Sequence, residues 1–198
     1  GAGSTIKRDN FGPIVGIDGS SVVTLRGLTI TGAGGGADGG GVQMLTGTPA
    51  VTIDRCTIVG NSGLGIEIKK GSLTLLSSTI TSNTEGGISF TNSGFKLLNN
   101  FIVKNGAPAA TTGGVKFLTY RTATLPALHE MAFNTIVDNV SDTAATSGVL
   151  CADIPASVLK FTSNIIYDNG ATADPGCVFQ YSDINKTPPD ATNINTRP

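Results

Sequence analysis

Three charged residues occupy equivalent places in three alternating apolar runs. They are Lys96 within Phe95–Leu97, Glu130 within His129–Met131 and Lys160 within Leu159–Phe161. In a pleated strand the middle residue points away from its two neighbours, so we expect all three charges to face outward. Stacked on successive strands, they would form a short groove for an acidic sugar chain. The alternative is a surface ladder of alternating charges, in which each pair contributes ~1 kcal/mol or less.

Two other sets of charged residues could take part in chemistry. Asp54 and Arg55 with Glu67, Lys69 and Lys70 fit either a reactive cluster or an outer salt-bridge cluster. Glycoside hydrolysis requires two carboxylates ~5 to 9.5 Å apart over one groove, and the repeated segments align no obvious pair. A further set could offer oxygens to calcium but lacks the alternating spacing of a calcium loop: Asp138, Asp142, Asp168 and Asp174. We expect no cofactor and no metal centre, with calcium as the one ion to test.

These residues belong to a repeat that must position them. Isoleucine recurs in six short β-rich runs, and the position three residues later is asparagine in five of the six. The isoleucine anchors are Ile30, Ile58, Ile80, Ile102, Ile136 and Ile166. The residues that follow them are Ala33, Asn61, Asn83, Asn105, Asn139 and Asn169. Recurrence every 22 to 34 residues is typical of a solenoid, because one such unit is too small to bury its apolar side alone.

Each repeat contains two further alternating runs. One precedes the anchor, as with Val51 and Ile53, and the other follows a glycine after the asparagine turn, as with Ile66 and Ile68. Three short strands per turn, without helical periodicity, predict an all-β coil of parallel sheets. About seven rungs at roughly 4.8 Å each would make a rod ~30 Å long.

The asparagine position has a physical explanation. We expect the asparagine to adopt the left-handed conformation of a tight turn, and its amide to bond to the amide of the next rung. Such a ladder stabilises the stack and indicates nothing about catalysis.

The segments TIVGN, TITSN, FIVKN, TIVDN and IIYDN, each followed by a glycine-led strand, show a resemblance to a known superfamily. They resemble the right-handed parallel β-helices of the pectate-lyase-like group, especially short-repeat secreted and cell-surface members from bacteria. The resemblance extends from Thr5 to about Ile184 and implies the fold. Polysaccharide lyases and hydrolases of this fold work on an outer face with clustered acids, often calcium, and a lysine or arginine base.

The three cysteines have different expected environments. Cys151 and Cys177 fall in the third strands of consecutive rungs, where stacked α-carbons lie about 5 Å apart, within disulfide reach. We predict that they are bonded or adjacent, and that Cys56 is a free, small core residue. A disulfide would fit an oxidising, extracytoplasmic setting.

The outer face of the anchor strand has no charged residue in its two outward columns. Its apolar half is a candidate interface stripe: Phe101, Val103, Val137, Ile165 and Tyr167. One explanation of the stripe is structural, because exposed pleats favour threonine and valine in general. The other is functional: a missing segment or a partner chain covers the stripe. Ice binding by regular Thr-x-Thr arrays is a third explanation, although Phe101, Ile165 and Tyr167 interrupt the regularity.

Length and composition limit the number of domains and the classes of binding partner. A chain of 198 residues, with 27 glycines and 14% charged residues, is long enough for one turn-rich β domain over 1–198. Residues 1–19 would form an incomplete first rung and residues 185–198 an irregular tail, so we expect a piece of a longer protein or one part of an assembly. A net charge of −1 argues against nucleic-acid or anionic-membrane binding, and no apolar run approaches the ~20 residues of a transmembrane helix.

These observations predict an extracellular or cell-surface module with a structural, adhesive or carbohydrate-contacting role and no chemistry of its own. Its partner would be a polysaccharide, or another protein chain at the apolar stripe or the solenoid ends. The alternative is a polysaccharide lyase or glycoside hydrolase of the pectate-lyase-like group.

Overall fold

The computed structural model describes residues 3–118, 129–142, 147–152, 160–169, 177, 179–180 and 182–184. Asp174 and the tail 185–198 lie outside the described residues. A short 3-10 helix spans Gly36–Asp38. The strands are β1 (Ser4–Lys7), β2 (Val15–Gly16), β3 (Val22–Arg26), β4 (Leu28–Thr31), β5 (Val42–Met44), β6 (Ala50–Asp54), β7 (Thr57–Val59), β8 (Leu64–Ile68), β9 (Gly71–Leu76), β10 (Thr79–Thr81), β11 (Gly86–Thr91), β12 (Ser93–Leu98), β13 (Phe101–Val103), β14 (Val115–Leu118), β15 (His129–Ala132), β16 (Thr135–Val137), β17 (Val149–Ala152), β18 (Lys160–Thr162), β19 (Ile165–Tyr167), β20 (Phe179–Gln180) and β21 (Asp183–Ile184).

The strands form three parallel sheets, and the chain visits them in rotation. Sheet 1 is β3-β6-β9-β12-β15-β18-β20, sheet 2 is β1-β4-β7-β10-β13-β16-β19-β21, and sheet 3 is β2-β5-β8-β11-β14-β17. Every described pairing is parallel and joins a strand to its equivalent one rung away. The predicted β-helix with three short strands per rung and about seven rungs is therefore confirmed.

The isoleucine anchors stack in a single column on sheet 2. Ile80 aligns with Ile58 on one side and Ile102 on the other, and the column continues in register through Ile136 and Ile166. All six anchors are buried. Their side chains fill the interior beside a row of aromatic rings, Phe90, Phe95, Phe117, Phe161 and Phe179, whose neighbouring centroids lie 4.3 to 6.1 Å apart.

The predicted asparagine ladder is present at the corner between sheets 2 and 3. Asn83 Nδ2 donates to Asn105 Oδ1 at 3.0 Å, and Asn105 Nδ2 donates to Asn139 Oδ1 at 3.0 Å. Equivalent bonds extend the ladder from Asn61 to Asn169. Each amide is satisfied by its neighbours inside the coil, where an unpaired polar group would cost ~1 to 3 kcal/mol.

The expected backbone conformation of these asparagines is wrong. The left-handed residue is the one before each asparagine: Gly60, Ser82, Lys104, Asp138 and Asp168. That exposed residue makes the corner, which leaves the asparagine free to direct its amide into the coil. The left-handed residue therefore forms the turn, and the asparagine that follows it forms the ladder.

A second polar ladder, which we did not predict, lies at the corner between sheets 1 and 2. Asn100 Nδ2 donates to Asn134 Oδ1 at 2.9 Å, and Asn134 Nδ2 donates to Asn164 Oδ1 at 3.0 Å. Smaller side chains continue the column, because Ser78 Oγ accepts from the Cys56 amide and Ser182 Oγ accepts from the Asn164 amide. Here too the preceding residues are left-handed: Gly27, Arg55, Ser77, Asn99, Phe133 and Ser163.

Glycines occupy a position where the next rung leaves no space for a side chain. A Cβ atom on Gly65 would lie 2.7 Å from Ile80 Cγ2, 2.8 Å from Asn83 Nδ2 and 2.8 Å from Gly87 O. The same three kinds of neighbour surround the equivalent glycines Gly41, Gly87 and Gly114, while a Cβ atom on Gly148 would meet Asn169 and Ile166 at 3.2 to 3.4 Å. The glycine that follows each asparagine turn is thus required by close packing against the next anchor and ladder residue.

We predict that Gly65→Ala lowers the free energy of unfolding by ~1 to 3 kcal/mol, because the new methyl group overpacks against backbone and ladder atoms. Gly16→Ala is the matched control, since Gly16 is exposed and the nearest atom to its Cβ would be Pro13 Cγ at 3.9 Å. Equilibrium unfolding in urea measures both. Equal, small losses for the two variants would contradict the packing explanation.

A second prediction concerns the buried His129, whose ring meets Phe95 edge-on at a centroid distance of 5.1 Å. Burial lowers the pKa of His129 below its ordinary value of 6.5. Since the unfolded chain then binds the proton more readily, this residue should destabilise the fold as the pH falls below about 6.5. Unfolding of the wild type and of His129→Leu at pH 5 and 7.5 tests this: the wild type should lose more stability than the variant. An identical pH dependence would contradict it.

Candidate functional site

The three charges predicted to stack on sheet 1 do so. Lys96 aligns with Glu130, and Glu130 aligns with Lys160. Lys96 Nζ lies 3.2 Å from Glu130 Oε2, with each side chain one-third exposed, while Lys160 is exposed. Lys160 is the member of this ladder that has no ion-pair partner among the described residues.

The second predicted charged set is divided between two sheets. Asp54, at the end of β6 on sheet 1, accepts from Arg26 Nε at 2.9 Å and lies 3.4 Å from Arg55 Nε. Glu67 is in β8 on sheet 3, where Lys69 Nζ lies 3.2 Å from Glu67 Oε1. The two groups are therefore separate ion pairs on different faces.

Sheet 3 has a row of polar side chains on the face opposite the core, in which Glu67 and Lys116 are half-buried and Gln43 and Ser89 are buried. Gln43, Glu67, Ser89 and Lys116 occupy one column on four successive strands. Gln43 Nε2 donates to Glu67 Oε2 at 3.2 Å. Lys116 Nζ donates to the Thr111 carbonyl at 3.2 Å. Three of the four side chains, Gln43, Glu67 and Lys116, thus have hydrogen-bond or ion-pair partners, which gives them a defined orientation.

Our alignment of the apolar positions missed this row, although the signal was available. Each of the four polar residues is the middle residue of a run whose flanking apolar side chains point inward, such as Ile66 and Ile68 around Glu67. The same pattern identified Lys96 on sheet 1. The row is found by reading the residues between the apolar pairs of the third strands.

A small pocket of about 140 Å³ lies beside the row. It is lined by Leu64, Glu67, Glu85, Thr111 and Thr112. Glu85 stands in the turn after the ladder residue Asn83, and its amide donates to the Gly63 carbonyl at 3.2 Å. Two carboxylates that the sequence did not place together therefore line one pocket.

The candidate interface stripe lies on the outer face of sheet 2. Phe101, Thr135 and Ile165 form one outward column, and Val103, Val137 and Tyr167 form the next. Phe101, Ile165 and Tyr167 are exposed, while the two valines are half-buried. The sheet positions agree with those expected, and the role of the stripe stays a prediction.

The structure contains a disulfide between Cys151 and Cys177, and Cys56 is a free, buried thiol.

Within the described part of the chain, no group of three or more His, Cys, Asp or Glu residues could hold a metal ion. Of the calcium candidates, Asp138 and Asp168 are left-handed turn residues. No helix among the described residues is long and apolar enough to cross a membrane.

A family model for the right-handed β-helix region matches residues 15–187. The chain belongs to this right-handed β-helix family. Comparison with curated proteins and with solved structures finds no significant match. Membership of the β-helix family agrees with the three parallel sheets.

Proposed function

We propose that the chain is a secreted or surface-displayed β-helix module that contacts a polysaccharide without cleaving it. The observation that supports this most directly is the polar row Gln43, Glu67, Ser89 and Lys116 on sheet 3. Its strands repeat roughly every 4.8 Å along the coil, and Glu67 and Lys116 are its half-buried members, whereas Gln43 and Ser89 are buried. A linear sugar chain has hydroxyl groups that can bond to the Glu67 carboxylate and the Lys116 ammonium group.

The orientation of the row favours binding. The hydrogen bond from Gln43 to Glu67, the Lys69–Glu67 ion pair and the bond from Lys116 to the Thr111 carbonyl hold these side chains before a ligand arrives, which reduces the conformational entropy lost on association. The adjoining pocket offers Glu85 and Thr111 as further polar groups beside the apolar Leu64. A concave site with a few convergent polar groups is the usual form of a ligand site.

A glycoside hydrolase is the second candidate, because Glu67 and Glu85 line the same pocket. Paired carboxylates are the catalytic groups of most such enzymes. Both carboxylate oxygens of Glu67 are already engaged, Oε1 by Lys69 and Oε2 by Gln43. A carboxylate held in this way suits the orientation of a ligand better than attack or proton transfer.

An extracellular setting is part of the proposal. The Cys151–Cys177 disulfide supports it, because disulfides persist in oxidising compartments.

We predict binding without turnover for the 198-residue chain. Polysaccharides bearing uronic acids, such as pectate and alginate, and neutral polysaccharides would be screened by affinity electrophoresis and assayed for new reducing ends and unsaturated products, with and without calcium. Glu67→Gln and Lys116→Ala should each weaken the binding of a retained polymer severalfold. Thr52→Ala, on the outer face of sheet 1, is the control and should leave it unchanged.

Three results would contradict the proposal. Retention that neither sheet 3 variant alters would place the contact elsewhere. New reducing ends that disappear in Glu85→Gln and Glu67→Gln would favour the hydrolase, and unsaturated products that disappear in Lys96→Ala or Lys160→Ala would favour a lyase on sheet 1.

A further inference from the structure

The disulfide joins two consecutive rungs at the end of the coil. Cys151 lies in β17 on sheet 3, and Cys177 lies on the chain between β19 and β20. Their α-carbons are 5.3 Å apart, close to the ~4.8 Å that separates neighbouring strands of a sheet. Cys177 Sγ also lies 3.9 Å from the carbonyl oxygen of Val149 in β17. The bond therefore spans one rung of the coil.

This bond is found where sheet 3 has no further strand among the described residues. Sheets 1 and 2 each continue by one strand beyond β18 and β19, through β20 and β21, whereas sheet 3 ends at β17. Cys177 follows a sheet 2 strand and precedes a sheet 1 strand, which is the place of a sheet 3 strand in every complete rung. Within the described part of the chain, a covalent bond thus replaces strand pairing on this side of the last turn.

The strands of the last turn have little pairing of their own. β20 and β21 are two residues long, and each is the outermost described strand of its sheet. In a solenoid each unit is stabilised by its neighbours, so a unit with a neighbour on one side opens more easily than an interior one. The disulfide adds a fixed attachment to this part of the coil.

The last turn covers groups that belong to the rung below it. Phe179 packs on Phe161 at a centroid distance of 5.3 Å, and both side chains are buried. The amide of Ser163 donates to the Gln180 carbonyl at 3.0 Å, and the amide of Asn164 donates to Ser182 Oγ at 3.2 Å. Displacement of the turn would expose the Phe161 ring and leave both amides to water.

We propose that the Cys151–Cys177 disulfide is a redox-sensitive latch on the end of the coil. While the bond is closed, β20 and β21 cover β18 and β19. Reduction releases this turn and exposes Phe161 and the edges of the two strands, while the interior rungs keep their register through the asparagine ladders. The latch is independent of the proposed polysaccharide contact, because the polar row ends at Lys116 in β14.

The opening step consumes a dithiol reductant. A reductant thiolate attacks Sγ of Cys177, the more exposed of the two cysteines at 9% against 5%. A mixed disulfide forms, and Cys151 leaves as a thiolate that takes up a proton. The second thiol of the reductant then attacks its own sulfur in the mixed disulfide, which releases Cys177 and closes the reductant's disulfide. Two electrons pass from the dithiol to the cysteine pair.

Amide hydrogen exchange measured by NMR, before and after reduction with dithiothreitol, tests the latch. Cys56→Ser is the background, because it removes the third thiol and introduces the residue found in the same column at Ser78 and Ser182. On reduction, the Ser163 and Asn164 amides should exchange at least about tenfold faster, since local opening frees them. The Ile165 amide donates to the Asn134 carbonyl of the preceding rung at 2.8 Å, and its exchange rate should change less than about twofold.

A variant without the bond separates the latch from other effects of the reductant. In the same background, Cys151→Ala combined with Cys177→Ala should show the fast exchange at Ser163 and Asn164 without dithiothreitol. Adding dithiothreitol should not change it further. Circular dichroism of the reduced protein and of this variant should retain the β-sheet spectrum, because the interior rungs stay folded.

Three results would overturn the proposal. The first is equal exchange of the Ser163 and Asn164 amides in the oxidised and reduced proteins. The second is acceleration on reduction that is as large at Ile165 and at the interior amide of Asn105 as at Ser163, which would make the bond a stabiliser of the whole coil. The third is the absence of new free thiols after dithiothreitol treatment of the folded protein.

Discussion

Inter-rung hydrogen bonding by buried side chains is the interaction on which the rest of this structure depends. At two of the corners, amide or hydroxyl groups from one rung bond to the next, so that polar residues inside the coil satisfy each other. These bonds form only if each strand is aligned in the same register with its equivalent in the next rung. Any slip by one residue would leave a series of buried amides unpaired, and it would also move the isoleucine column to the outside.

The ladders also explain why the outer faces can vary. Register is set inside, by Asn83, Asn105 and their equivalents together with the close-packed glycines. Outward columns then differ from sheet to sheet without loss of the fold: alternating charges on the later strands of sheet 1, outward columns without charge from β4 to β19 on sheet 2, and a mixed polar row on sheet 3. A solenoid of this kind therefore has outer faces of different chemical character on one interior.

The sequence predicted the fold well because the residues that recur in the repeat are the ones that fill the interior. Ile80 and Asn83 recur with their neighbours in each rung, and period-two alternation showed which residues point inward. The conformation of the turns was harder, since a left-handed Ser82 and an inward Asn83 produce the same sequence pattern as a left-handed asparagine. The second ladder was missed because serine and cysteine replace asparagine in part of its column.

The candidate sites were less predictable for a different physical reason. Glu67 and Glu85 meet at one pocket only because a turn brings the second beside the strand that contains the first, and no periodic pattern describes such a turn. Asp54 and Glu67 are close in sequence but belong to different faces, which became clear only when each strand was assigned to its sheet.

A double-mutant cycle between Asn83 and Asn105 tests the central role of the ladders most directly. Each alanine substitution leaves buried partners unsatisfied and should cost ~1 to 3 kcal/mol. Because the two amides bond to each other, the second substitution should cost less than the first, with a coupling energy of ~0.5 kcal/mol or more. Asn83 with Asn164, on the other ladder, should behave additively. Additive losses for Asn83 and Asn105, or losses well below 0.5 kcal/mol for each, would contradict the account.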